Sequence, residues 1–249
     1  MWSICALPAD AEAQATDYCA SSTRSILFLI DRTTAYDERD REVLVDGLDR
    51  FFRELGTGDR LLLYTIGGSA ADSRRLFDAC VPGCPEQGIL DSLFSTCKPI
   101  VARANRQDFT RKLLATLLDL LKQPVHYEHS AILETVRTVM ATNRNAQVAR
   151  LVMFSDMLEN SDVLTLSTLT NQGAGPSVAR VEAQDALPDV AGIDVDAFGT
   201  GRSHAPGRPP LSASVARELE AFWTEVFRQG GAAGIAIGPE YISDGAERS

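Results

Sequence analysis

Two short apolar runs, each closed by an aspartate, constrain this chain more than any other feature. Ser25-Ile-Leu-Phe-Leu-Ile30 runs directly into Asp31, and Arg150-Leu-Val-Met-Phe154 runs into Ser155-Asp156. Uninterrupted apolar runs of this length, rich in strand formers, read as strands buried on both faces of a sheet, which requires helices packed on either side. The intervening segments supply those helices. Leu44, Leu48, Phe51, Phe52 and Leu55 recur at helical spacing before Gly56 and Gly58. Phe109, Leu113, Leu114, Leu117, Leu118 and Leu121 form a second apolar stripe before Pro124. A third helix starts near Ser130, with Ile132, Leu133, Val136, Val139 and Met140 on one face. The last spans 212–229, where Val215, Leu219, Phe222, Trp223, Val226 and Phe227 share a face ahead of Gly230-Gly231.

Further strands are expected at 60–67, 75–81, 193–198 and 234–238, with short helices near 164–170 and 178–187. Residues 82–104 show no sustained period and read as an irregular, cysteine-containing excursion, placed at about 80–104. The alternation predicts an α/β fold, a doubly wound, mainly parallel central sheet with helices on both faces. The 249 residues suit a single domain over 24–240, with an amino-terminal tail or leader remnant at 1–23 and a carboxyl-terminal tail at 241–249. Ligands of such sheets bind beyond the carboxyl ends of the strands, where the two aspartates fall.

Net charge −10 excludes a phosphate backbone as the natural partner, so no nucleic acid is expected. No apolar run approaches the roughly 20 residues of a membrane span. The first residues, MWSICALPADAEAQA, combine a short apolar start with small residues like those of a cleavage region, but lack a basic stretch. They read as a trimmed signal peptide or an unstructured tail. Of five cysteines, Cys19, Cys80, Cys84 and Cys97 occupy loops and strand ends, which favours disulfides in any of three pairings and a secreted or periplasmic location over a cytoplasmic one. Cys5 is then the odd one.

Asp31-Arg-Thr33-Thr-Ala35 after the first strand, Ser130 ahead of a helix and Phe154-Ser-Asp156 at the later strand end together resemble the von Willebrand factor A fold and its metal-ion-dependent adhesion site. Ser155-Asp156-Met157 is similar to a segment found in bacterial members. The resemblance implies that Asp31, Thr33, Ser130 and Asp156 hold a divalent cation, Mg²⁺ or Mn²⁺. Ala35 stands where the family has a second hydroxyl, and water would take that position. It further implies a protein partner recognised by contact, without turnover, at a rim formed by Tyr36, His129, Glu159 and His204. Two other readings of the aspartates stay open: a metal-free polar hub neutralised by Arg32 and Arg39, and plain capping of loop amides.

Competing functions are a metal-dependent phosphohydrolase built on Asp31 and Asp156, or a structural subunit of a larger assembly. Thr33 stands where a dehalogenase-type phosphatase needs its acid, so an enzyme is not expected. His126 and His129 lack further zinc ligands nearby, and Gly199-Thr-Gly-Arg202 lacks the endings of nucleotide-binding loops.

Overall fold

The computed structural model describes residues 17–20, 22, 24–84, 97–123, 125, 127–204, 207 and 209–242. Six strands, β1 (Ser25–Asp31), β2 (Arg60–Ile66), β3 (Arg75–Cys80), β4 (Val148–Phe154), β5 (Asp194–Phe198) and β6 (Gly234–Gly238), form one sheet in the order β3-β2-β1-β4-β5-β6. All neighbouring pairs are parallel except β2 with β3, so the sheet is mixed and mostly parallel. The helices are α1 (Glu38–Glu54), α2 (Pro99–Lys122), α3 (Ile132–Thr142), α4 (Leu166–Gln172), α5 (Ala174–Ala183) and α6 (Ala213–Gln229).

The pleat of β1 divides the core in two. Ile26, Phe28 and Ile30 join Leu44, Leu48 and Phe51 of α1 and Phe109, Leu113 and Leu117 of α2. Leu27 and Leu29 join α3, α5 and α6 through Ile132, Val136, Val181, Phe222 and Trp223. Successive side chains of a strand point to opposite faces, so the run Ile26 to Ile30 of β1 must be apolar, and each residue of the strand is buried. Gly47 lets α1 approach β5 closely, since a Cβ there would lie 2.3 Å from the Phe198 ring. Packing continues past 240, because Tyr241 is buried against Phe51 and Phe198 and its hydroxyl binds Arg150 and Glu54.

The expected irregular excursion is shorter than its sequence suggested. Residues 99–104 already belong to α2, which begins with Pro99 in its first turn, where a missing N–H costs nothing. Its first turns bury only Ala102 and leave Ile100 and Val101 exposed, so they carry no apolar period. Residues 85–96 lie outside the described set. Among the three possible pairings, the cysteines form Cys19–Cys80 and Cys84–Cys97. The first ties the segment before β1 to the end of edge strand β3, and Tyr18 beside it accepts a hydrogen bond from Asn105 of α2.

The bridges close loops of 61 and 13 residues. Removing the first by Cys19→Ala with Cys80→Ala is expected to cost about 4 kcal/mol, and removing the second by Cys84→Ala with Cys97→Ala about 3 kcal/mol, from the chain entropy restored to the unfolded state. Urea denaturation of the two double variants against the oxidised protein measures both, and equal losses would contradict the loop-length argument.

Candidate functional site

The strand order reverses between β1 and β4, which leave in opposite directions to β2 and β5. This is the switch point at which doubly wound sheets open a crevice. Register aligns Ile30 with Phe154, so the residues just beyond, Asp31 and Ser155, emerge side by side. Asp31 Oδ2 accepts from the Ser155 hydroxyl at 2.7 Å, and Asp31 Oδ1 accepts from the Thr33 amide at 2.9 Å and the Thr33 hydroxyl at 2.7 Å. Asp156 accepts from the Leu158 amide through Oδ1 and the His204 amide through Oδ2, both at 3.0 Å. Both carboxylates are therefore buried and satisfied by protein donors.

The loop carrying Ser130 is held against the loop after β4. Ser130 and Asn160 exchange two backbone hydrogen bonds, and Glu159 Oε2 accepts from the Leu133 amide at 3.0 Å, satisfying one of the free donors at the start of α3. Thr33, Ser130, Asp156 and Glu159 thereby line one cleft of about 400 Å³, bounded further by His129 and Leu158. The hydroxyl oxygen of Ser130 and Oε1 of Glu159 are buried there without a hydrogen-bond partner. Trp223 fixes the cleft from below, its indole donating to the Met157 carbonyl at 2.7 Å.

Of the four expected cation residues, Thr33, Ser130 and Asp156 line the cleft, and Asp31 stands behind them, bonded to Thr33 and Ser155. The expected rim needs correction. His129 is exposed, but Tyr36, Glu159 and His204 are buried. Tyr36 turns inward because its hydroxyl donates to the Asp31 carbonyl and its ring meets Phe154 edge-on. His204 stacks on Phe154 at 5.1 Å, with Nε2 3.1 Å from the Gly199 carbonyl. Glu159 caps α3. Neither arginine considered for a polar hub pairs with the aspartates: Arg32 donates to the Gln123 carbonyl at 2.6 Å, and Arg39 pairs with Glu42 and Glu240. His126 lies outside the described residues.

Ser155 and Asp40 are site residues that sequence reasoning missed. Ser155 bridges Asp31 to the Met157 amide, a role visible only once the β1–β4 register is known. Buried Asp40, in the capping box of α1, lies 3.9 Å from His204 Nε2 and 3.6 Å from Arg202, while Arg202 also pairs with Asp37. A capping pattern at Asp37 was the available signal.

Among the described residues, no three His, Cys, Asp and Glu side chains cluster as a metal site. A cation here would depend on two carboxylates supplemented by hydroxyls and water, a donor set of hard oxygens that suits Mg²⁺ or Mn²⁺. The unpartnered Ser130 hydroxyl fits that set, and the Thr33 hydroxyl, whose hydrogen is committed to Asp31, keeps lone pairs to offer.

Burial, reinforced by the neighbouring Asp31 carboxylate, pushes the Asp156 carboxyl up to about 6. Burial likewise raises Glu159 to about 7. An acid that holds its proton more tightly when folded contributes stability below its unfolded value and loses it as the pH rises through its folded value. In chelator, raising the pH from 4.5 to 8 should therefore destabilise the wild type relative to Glu159→Gln by about 3 kcal/mol, the equivalent of a shift from 4.5 to about 7. Urea melts of both proteins across that range test this, and parallel pH profiles would refute it.

No family model matches the chain, and no curated protein matches it. Among solved structures, proximal thread matrix protein 1 from the mussel byssus aligns at TM-score 0.38 and 10% identity over 88% of this chain. This chain spans 42% of that protein's length. An uncharacterised membrane-spanning protein from Vibrio fischeri aligns at TM-score 0.28 and 14% identity, over 89% of this chain and 92% of the other. At such scores neither likeness bears on function.

Proposed function

We propose that this chain is a von Willebrand A-like recognition module that engages a protein partner at the carboxyl edge of its sheet through a hard divalent cation. One observation carries this reading: at the switch point, Asp156, Thr33 and a buried, unpartnered Ser130 hydroxyl line a single cleft backed by Asp31. Asp31, Thr33, Ser130 and Asp156 would hold Mg²⁺ or Mn²⁺. When bound, the ion supplies a positive charge that accepts an oxygen ligand from the partner. The chain's own residues do the rest. Ser155 and Thr33 orient Asp31, the amides of Leu158 and His204 orient Asp156, and Asn160 anchors the loop of Ser130.

Recognition is favoured over turnover because no lysine lines the cleft among the described residues. Two disulfides support an extracytoplasmic setting for such a module.

Calorimetric titration with Mg²⁺ and Mn²⁺ tests the proposal. The wild type should bind saturably at one site, Asp156→Ala should abolish the signal, and Ser130→Ala should weaken it by about tenfold, the equivalent of one lost hard ligand at about 1.4 kcal/mol. A wild type silent to millimolar metal would sink the cation reading.

A further inference from the structure

Helix α2 is apolar on more than the side that meets the core. Ala102, Phe109, Leu113, Leu117 and Leu120 are buried, yet Ile100, Leu114 and Leu118 stand 85%, 43% and 57% exposed. With Val101 they make four of the six large hydrophobic side chains left exposed among the described residues. At 3.6 residues per turn, positions 100, 104, 107, 111, 114 and 118 fall along one line of the helix, opposite the buried set. From 100 to 118 that line runs about 27 Å. Arg103, Gln107, Arg111, Leu114, Ala115 and Leu118 share a shallow groove along it, and among the described residues no other element lines that groove.

The same helix concentrates positive charge in an acidic chain. Residues 98–122 hold Lys98, Arg103, Arg106, Arg111, Lys112 and Lys122 against only Asp108 and Asp119, an excess of four positive charges where the whole chain carries −10. Both aspartates are used within the helix, Asp108 by Arg111 and Lys112, and Asp119 by Lys122. Arg106 turns aside to donate to the Leu55 carbonyl at 2.9 Å. Lys98 and Arg103 are exposed and have no acidic partner among the described residues. A cationic groove of this kind attracts an anionic surface and repels a copy of itself. An anionic lipid surface fits less well than an acidic protein segment, because the net charge of the chain opposes its approach.

We propose that the outer face of α2 docks an acidic amphipathic helix from a partner protein. Apolar side chains of that helix, spaced three and four residues apart, lie over Leu114, Ala115 and Leu118 and over Ile100, and its carboxylates flank them opposite Arg103 and Arg111. Burial of the exposed leucines supplies affinity, while the unpaired Arg103 selects the sign of charge accepted. No residue of this face lines the cleft at the switch point, so the docking is separate from recognition through a cation.

Two peptides of about three heptads test this, one with leucine at the a and d positions and glutamate at e and g, the other with lysine replacing the glutamates. Fluorescence anisotropy reads binding and hydrogen exchange locates it. The glutamate peptide should bind saturably at low salt, equally in chelator and in Mg²⁺, and slow amide exchange over 100–118, which the lysine peptide should leave unprotected. Leu114→Asp with Leu118→Asp should weaken binding about a hundredfold. Arg103→Glu should weaken it about tenfold and Arg103→Lys hardly at all. These side chains are exposed, so the variants keep the fold, which urea melts verify. No protection of 100–118 by the glutamate peptide, equal protection by both peptides, or binding indifferent to the variants would each overturn the proposal. So would a different occupant, seen as dimerisation or cosedimentation with phosphatidylserine vesicles that the leucine double variant abolishes, or as peptide binding that begins only when residues 1–16 are removed.

Discussion

The parallel pairing of β1 with β4 is the constraint on which the rest of the molecule depends. It sets the centre of the sheet, and its register brings Asp31 and Ser155 out side by side. The hydrogen bond from Ser155 to Asp31 locks the two strand ends together where the following chains diverge toward α1 and toward the loop leading to α4. A slip by one residue would turn every side chain of β1 to the wrong face and drive Asp31 into one of two apolar layers. The same register thus specifies both the core and the crevice.

Buried carboxylates are costly unless hydrogen-bonded, and the edge of this sheet meets that cost with donors that also shape the loops. Amides of Thr33, Leu158 and His204 turn toward Asp31 and Asp156, which fixes three loops relative to the sheet. His204 stacks on Phe154, so an aromatic layer holds the buried amide that donates to Asp156. Glu159 is the carboxylate whose burial outweighs its donors, the Leu133 amide of α3 among them, so that it holds its proton more tightly than a free glutamate. Stability and polarity of the crevice are thereby linked through the same few side chains.

The strands and most helices were legible because their apolar residues repeat with the periods that burial imposes. The run Ile26 to Ile30 of β1 is apolar without interruption since it is covered on both faces, and α6 shows its stripe because one face alone meets the core. The start of α2 was illegible for the opposite reason, its first turns leaving Ile100 and Val101 in solvent. Within the site, Asp31, Thr33, Ser130 and Asp156 could be picked out from their places at strand and helix ends. Tyr36, Glu159 and His204 were misplaced on the rim because their burial follows from contacts with Asp31, Leu133 and Phe154, which no local pattern reveals. The role of Ser155 was hidden because it depends on register, a property of two strands 124 residues apart.

The bridge from Cys19 to Cys80 also determines how the molecule would carry mechanical load. Tension applied upstream of Cys19 passes through the sulfur atoms to the end of β3 and bypasses everything between, including β1, α1 and β2. The second bridge removes the stretch from Cys84 to Cys97 from the load path in the same way. The central strand therefore cannot be drawn out of the sheet by its own amino-terminal end. Force arriving upstream of Cys19 is therefore handed to the antiparallel edge of the sheet and to the chain leading into α2, and not to the amino-terminal end of β1.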